Sequence, residues 1–70
     1  MALTEKEKEL VAIGASIGNN CIPCLEQHFQ RCRELGLSRQ DLREAYFTSK
    51  KVKEAPIKKT YEAAERLMMR

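Results

Sequence analysis

The sequence contains no apolar run that approaches the ~20 residues of a membrane-spanning helix. Because residues 1–3 lead directly into a charged stretch, we also expect no secretory or transit segment. No internal repeat, linker or low-complexity segment divides the chain. We therefore expect one cytoplasmic domain over residues 1–70 and no membrane partner.

The chain also lacks a large excess of charge of one sign. Its 13 basic and 10 acidic residues give a net charge of +3, and the two signs are interleaved. A basic cluster near Pro56 could bind phosphates, but no aromatic residue is interleaved with its lysines. We interpret the cluster as a solvated face and expect no nucleic-acid partner. It consists of Lys50, Lys51, Lys53, Lys58 and Lys59.

A chain of 70 residues can build only a small core. Folded chains of this length bury only ~60% of the surface that they expose when unfolded. The composition, 43% hydrophobic and 33% charged, is still typical of a globular protein and too apolar for a disordered one. Small folds usually need disulfides, a metal or a partner subunit, and here we expect a partner subunit.

Helical patterns predict an all-α fold, a small bundle of about four helices that is completed by oligomerisation, and no strand pattern is present. Thr4, with Glu7 three positions later, forms a capping-box signature at the start of the first helix. Residues 18–20 favour its end. Small residues in this helix, Gly14 among them, let another helix approach closely. Its apolar stripe consists of Leu10, Val11, Ile13, Gly14 and Ile17.

Proline, glycine and serine mark the boundaries of the other helices. Pro23 suits the first turn of a second helix, and Gly36 suits its C-terminal cap. Ser38 with Asp41 predicts the start of a third helix. Because proline disfavours helix at the residue before it, we expect a fourth helix to begin at Pro56. The expected inward faces are Leu25, Phe29, Cys32 and Leu35, then Leu42, Ala45, Tyr46, Ser49 and Val52, then Ile57, Tyr61, Ala64 and Leu67 or Met68.

Cys21, Cys24 and His28 form the run that is most able to carry chemistry. Two thiols at this spacing can close a disulfide across one turn of chain. An imidazole one helical turn after Cys24 can share its face and take its proton. The predicted start of the second helix adds exposed amides and a helix dipole, which favour a thiolate and lower the pKa of a thiol. The run therefore favours a redox centre in which one thiol attacks and the other resolves the intermediate.

Two other interpretations of this run compete with the redox one. Cys21, Cys24, His28 and Cys32 are plausible zinc ligands, but Cys24 and Cys32 would stand ~12 Å apart along a straight helix. Zinc ligands converge at bonds of ~2.0–2.3 Å, so only a site without Cys32 stays open. Alternatively, the cysteines are buried small residues and His28 lies at the rim of the core. We favour the redox interpretation, place Cys32 in the core, and expect no metal and no cofactor.

At these residues the chain resembles the AhpD-like, or carboxymuconolactone decarboxylase-like, superfamily of small all-helical proteins. The redox branch of that group carries a Cys-x-x-Cys-x-x-x-His signature, which here is Cys21, Cys24 and His28. It also carries a glutamate twelve positions before the first cysteine, which here is Glu9. A glycine, a capping residue and an acidic helix follow in the group, as in residues 35–42. The similarity therefore spans roughly residues 7–68.

The resemblance implies a thiol–disulfide oxidoreductase with alkyl hydroperoxide reductase activity. It assigns attack on the peroxide to Cys24, resolution to Cys21 and a proton relay to His28 and Glu9, although Glu9 by itself would be interpreted as a solvated helix charge. The residues alone leave the order of the cysteines open, since the first cysteine of many helix-start dithiols is the exposed nucleophile. Pro23 stands where some redox members carry a histidine, so a relay through that position is shortened here.

The resemblance also implies partners. Short members resemble subunits of trimers or hexamers, which predicts a homo-oligomer. The implied substrate is a hydroperoxide or a disulfide, and the implied electron donor is lipoyl- or thioredoxin-like. The decarboxylase branch generally lacks the cysteine pair, so we do not expect its reaction. The alternative function is a non-enzymatic helical assembly module whose cysteines are structural or bind zinc.

Overall fold

The computed structural model describes residues 2–70, and three helices make up this part of the chain. They are α1 (Glu5–Gly18), α2 (Ile22–Glu34) and α3 (Arg39–Met68), and α1 packs against both of the others. Residues 2–70 contain no strand, so the predicted all-α class is confirmed. None of the three helices is both long and apolar enough to cross a membrane. Met1, the first residue of the predicted domain, lies outside the described residues.

Side chains cap the first turns of α1 and α3. Glu7 N–H donates to Thr4 Oγ1 at 3.1 Å, and Thr4 N–H donates to Glu7 Oε1 at 2.8 Å. Ser38 and Asp41 exchange the same pair of bonds at 3.1 and 3.0 Å. The bonds from the backbone, and then those from the side chains, lower the pKa of the Glu7 and Asp41 carboxyls. The capping boxes predicted from sequence are therefore confirmed.

Residues in the left-handed backbone region end α1 and α2. Asn20 has φ 56° and Gly36 has φ 81°, values that asparagine and glycine adopt most readily. At the end of α1, Asn20 N–H donates to Ile17 O at 3.2 Å and Cys21 N–H donates to Ser16 O at 3.0 Å. The same pair of bonds ends α2, so both ends are Schellman motifs. The predicted helix ends are confirmed, and the last bond of α1 fixes the backbone of Cys21.

One apolar residue from each helix forms the core. Ile13 of α1 and Cys32 of α2 are fully buried, and Leu42 of α3 is 9% exposed. Partly buried side chains pack around these three: Ile17, Phe29, Leu37 and Ala45. Ser16 is buried beside them, and its hydroxyl donates to Ala12 O at 2.7 Å. The core is small, as the chain length predicts.

Gly14 marks the place where α1 and α3 approach closely. A Cβ atom built on Gly14 would lie 3.2 Å from Ser49 Oγ, which is tighter than ordinary van der Waals contact. The Ser49 hydroxyl donates to Ala45 O at 2.7 Å, which orients it toward its own helix. The predicted close approach of another helix to the small residues of α1 is confirmed, and that helix is α3.

The prediction of a separate fourth helix at Pro56 is wrong, because α3 continues through this residue. Proline in a helix interior removes one backbone hydrogen bond and costs about 3 kcal/mol relative to alanine. The missing donor would have bonded the carbonyl of Val52, a residue that is 69% exposed. A carbonyl on an exposed stretch of helix can bond water instead. Thr60 Oγ1 also donates to Pro56 O at 2.9 Å.

The C-terminal half of α3 has an apolar face that no other part of residues 2–70 covers. This corrects the prediction that Ile57, Tyr61, Ala64 and Leu67 or Met68 face inward. Ile57 is 43% exposed, Tyr61 64% and Leu67 61%. Tyr46 and Val52, which were expected inside, are exposed as well. A helix of 30 residues is about 45 Å long, and the protein extends over 54 × 28 × 21 Å, so α3 extends beyond the three-helix core.

Candidate redox site

Cys21 is held between α1 and α2 by its backbone and by its sulfur. Its N–H group takes part in the last hydrogen bond of α1, and the residue is also the N-cap of α2. Its Sγ accepts a hydrogen bond from Cys24 N–H at 3.3 Å. Pro23 lies in the first turn of α2, where no amide donor is needed. The predicted placement of both cysteines at the start of a helix is confirmed.

Cys21 and Cys24 are joined by a disulfide. Their Cα atoms are 5.3 Å apart, and the usual range for a disulfide is about 4.4–6.8 Å. The first turn of α2 therefore brings the two thiols together in its ordinary geometry. Both residues are half-buried. When the bond is reduced, the amides and the positive end of the α2 dipole favour a thiolate at this position.

The structure brings Glu9 of α1 and His28 of α2 into contact. The Nδ1 and Oε2 atoms are 2.7 Å apart, and the two side chains are only 28% exposed for His28 and 17% for Glu9. Because an ionised carboxylate only accepts, Nδ1–H is the donor. In the neutral imidazole this assignment leaves the lone pair on Nε2. Glu9 thus fixes both the orientation of the ring and its tautomer.

His28 lies between two open depressions of the surface. One contains the disulfide over a floor of small side chains and is lined by Ala12, Ala15, Ser16, Asn19, Cys21, Cys24 and His28. The other is lined by polar and charged residues: Glu9, Gln27, His28, Gln30, Arg31 and Glu34. A third depression, between Phe29, Arg33 and the start of α3, contains none of the predicted site residues. The imidazole therefore separates the disulfide side from the carboxylate side.

Cys32 is set apart from the other two cysteines. Its thiol is fully buried in the core, as predicted. Burial raises the pKa of the Cys32 thiol, and the negative charge of Glu9 raises it further. A thiol that stays protonated is a poor nucleophile. Among residues 2–70, no three His, Cys, Asp or Glu side chains are grouped closely enough to hold a metal ion.

A lysine of α3 contacts the turn that leads to Cys21. Lys53 Nζ donates to Ile17 O at 2.6 Å and also bonds Asn20 Oδ1. The interpretation of the lysine cluster as a solvated face is wrong for this half-buried residue. Lys53 lies 36 residues after Ile17, so no local pattern links them. The sequence signal for such a contact is that the last turn of α1 contains no basic residue that would offset its dipole.

The sequence that builds this site matches a known protein family. A sequence model described as the carboxymuconolactone decarboxylase family matches residues 1–50. The chain belongs to the carboxymuconolactone decarboxylase family. The predicted resemblance is confirmed, and the matched part contains Glu9, Cys21, Cys24 and His28. Searches of curated proteins and of solved structures found no match.

All of the candidate redox residues lie within the matched part of the chain. The match covers α1, α2 and the first part of α3, and it ends before Lys53 and the exposed apolar face of α3. Membership of this family, together with a Cys-x-x-Cys pair that is joined as a disulfide, supports a redox role.

Proposed function

We propose that this protein is a thiol–disulfide oxidoreductase that reduces hydroperoxides through Cys21 and Cys24. One observation carries the proposal: the disulfide shares an open depression with His28, and Nδ1 of this histidine is hydrogen-bonded to Glu9. A redox pair needs access for its substrate, and the depression provides it. It also needs a group that moves protons, and His28 stands beside the pair for this purpose.

Reduction of the peroxide, which oxidises the protein, starts from the dithiol. Cys24 gives its thiol proton to Nε2 of His28 and the resulting thiolate attacks one peroxide oxygen. The O–O bond breaks, and the leaving alkoxide takes that proton from His28 to become an alcohol. Cys24 is then a sulfenic acid. The Cys21 thiol gives its proton to His28, and its thiolate attacks the Cys24 sulfur. The S–O bond breaks as the disulfide forms, and the departing hydroxide takes the proton from His28 to become water. Two electrons have passed from the dithiol to the peroxide.

The oxidised protein must then be returned to the dithiol. A donor dithiol of the lipoyl or thioredoxin class attacks the disulfide, forms a mixed disulfide and leaves as its own disulfide. Pro23, between the cysteines, carries no group that transfers protons. His28 and Glu9 therefore supply the relay, with Glu9 orienting the His28 ring through the hydrogen bond from Nδ1.

We also propose that the chain works as a homo-oligomer, a trimer or hexamer, in which a second copy covers the C-terminal half of α3. Most of the stability of a protein helix comes from packing of its apolar face, and within residues 2–70 the large apolar side chains of this half of α3 are exposed. Its apolar side chains are spaced along one face of the helix. Burying this face would add to a core that contains few residues.

Counting free thiols by alkylation and mass spectrometry tests the redox proposal. Reduced, denatured protein should show three free thiols, one for each cysteine. After treatment with one equivalent of an alkyl hydroperoxide, only Cys32 should remain free, and dithiothreitol should restore the others. A Cys32→Ser variant should form the same disulfide at the same rate. The proposal is wrong if peroxide produces no reversible Cys21–Cys24 bond.

Single cysteine variants assign the two roles. Cys24→Ser should abolish the reaction with peroxide, whereas Cys21→Ser should react and accumulate a sulfenic acid that a dimedone probe captures. The reverse pattern would make Cys21 the nucleophile. Metal analysis of freshly purified protein separates the alternative assembly module: stoichiometric zinc, with thiols protected from alkylation, would contradict the redox proposal.

A further inference from the structure

Lys53 is placed where two electrostatic effects on the cysteine pair meet. Cys21 follows the C-terminal end of α1 and begins α2. The negative end of the α1 dipole disfavours a thiolate at this point, whereas the positive end of the α2 dipole favours one. The last turn of α1 contains no basic residue that would offset its dipole. The ammonium group of Lys53, brought from α3, lies directly on the Ile17 carbonyl.

Lys53 also holds the residue that precedes Cys21. Its Nζ bonds the side-chain oxygen of Asn20, which has the left-handed backbone conformation that turns the chain toward α2. None of the ion pairs among residues 2–70 includes Lys53, so its charge is not offset by a carboxylate there. Elsewhere on the same helix, Lys50 does pair with a carboxylate, that of Glu54, at 3.9 Å.

We propose that Lys53 is a positioning residue for the Cys21–Cys24 pair, and that its charge favours the reduced dithiol. It acts through Ile17 and Asn20, by offsetting the α1 dipole and by fixing the turn. Since a redox equilibrium shifts toward whichever form is stabilised, a cation that stabilises a thiolate makes the disulfide easier to reduce. This inference rests on the proposed redox function and adds a residue to it.

The test is the equilibrium of each variant with glutathione. In this exchange the protein disulfide and two glutathione thiols become the protein dithiol and one glutathione disulfide, so two electrons and two protons pass to the protein. Lys53→Met keeps the apolar stem and removes the charge. At pH 8, where more of the thiol is ionised, we expect its equilibrium constant for reduction to fall by about twofold to fivefold, the size of a dipole–charge interaction near a surface.

Matched variants separate the local effect from a change in net charge. Lys51→Met makes the same change at an exposed position of α3 and should leave the constant unchanged. Lys53→Arg keeps the charge and should do the same. Lys53→Gln keeps a donor without the charge and should repeat the effect of Lys53→Met, which also serves if Lys53→Met does not fold.

The outcomes distinguish this inference from the proposed function. If the wild-type pair does not exchange with glutathione, both are overturned. If it exchanges and Lys53→Met behaves like Lys51→Met, Lys53 has no role in the redox site and the proposed function stands. A role confined to the fold would lower the Tm of the oxidised and reduced proteins equally and leave the constant unchanged, which also overturns the inference.

Discussion

The imidazole of His28 donates from Nδ1 to Oε2 of Glu9 over 2.7 Å and thereby links α2 to α1 across 19 residues of sequence. The contact lies at the edge of the depression that contains the disulfide. It holds the ring in one orientation and fixes which ring nitrogen carries the proton. This geometry supports the relay that we propose for His28 and Glu9.

Replacing Glu9 tests whether this contact matters for the chemistry. Glu9→Gln keeps the size of the side chain and removes its charge, so we expect peroxide-driven disulfide formation to slow by at least ~10-fold. The rate can be followed by quenched alkylation. Glu26→Gln makes the same change on α2 between Cys24 and His28, where the side chain is exposed, and it should leave the rate unchanged. Equal rates for both variants would exclude a relay through Glu9.

Gly14 and Gly18 give a test of the packing between α1 and α3. Alanine is favoured over glycine by up to ~1 kcal/mol in a helix, so Gly18→Ala, which meets nothing within 4 Å, should stabilise the protein. Gly14→Ala should gain less or destabilise, because its Cβ would press on Ser49 Oγ. Adding Ser49→Ala should recover the difference. Urea denaturation measures each free energy of unfolding, and equal gains at both glycines would contradict the close contact.

The capping boxes predict a dependence of stability on pH. The pKa values of Glu7 and Asp41 are lowered in the folded protein, so their contribution is present above the unfolded values of about 4.3 and 3.9 and is lost as pH falls through the folded values. We expect the Tm to be constant above about pH 5 from this cause and to decrease below about pH 4. A Glu7→Gln, Asp41→Asn variant should differ from the wild type less and less as pH falls. A constant difference in thermal melts from about pH 3 to 6 would contradict this.

The exposed face of α3 predicts self-association. Light scattering should give the mass of a trimer or hexamer of the 8.1 kDa chain. Tyr61→Glu with Leu67→Glu would place charges on the apolar face and should lower that mass, since burying an unpaired charge is costly. A control variant with Thr60→Glu and Lys59→Glu changes exposed polar positions of the same helix segment and should leave the mass unchanged. A stable, folded wild-type monomer would show that no second copy covers this face.

Local sequence predicts the parts of this fold that depend on local interactions. The capping residues Thr4 and Ser38 and the left-handed Gly36 act on neighbours within a few positions, and all three are found as expected. Pro56 misleads for the same reason: its local preference against helix is real, but α3 is already formed before this residue and continues through it.

Contacts between distant residues are less accessible to such reasoning. The cysteine pair and His28 are visible because they lie within one helical segment. Glu9 has no signal of its own, and only the family resemblance marked it as a partner of His28 before the 2.7 Å contact was seen. Lys53 had neither a motif nor a resemblance, because its role depends on how α3 crosses the end of α1.

The Cys21–Cys24 bond spans a sequence separation of three and so closes a very small ring. In the chain-entropy account a ring of this size stabilises a protein by about 2 kcal/mol at most, less than the roughly 3 kcal/mol of a 15-residue loop. Neither cysteine belongs to the buried core, which Ile13, Cys32 and Leu42 form. Reducing this bond would therefore lower the free energy of unfolding by up to about 2 kcal/mol, a sizeable share of the stability of a small domain. For a site that exchanges electrons as proposed, a more reducing environment would also shift the ratio of folded to unfolded protein, by up to about 30-fold.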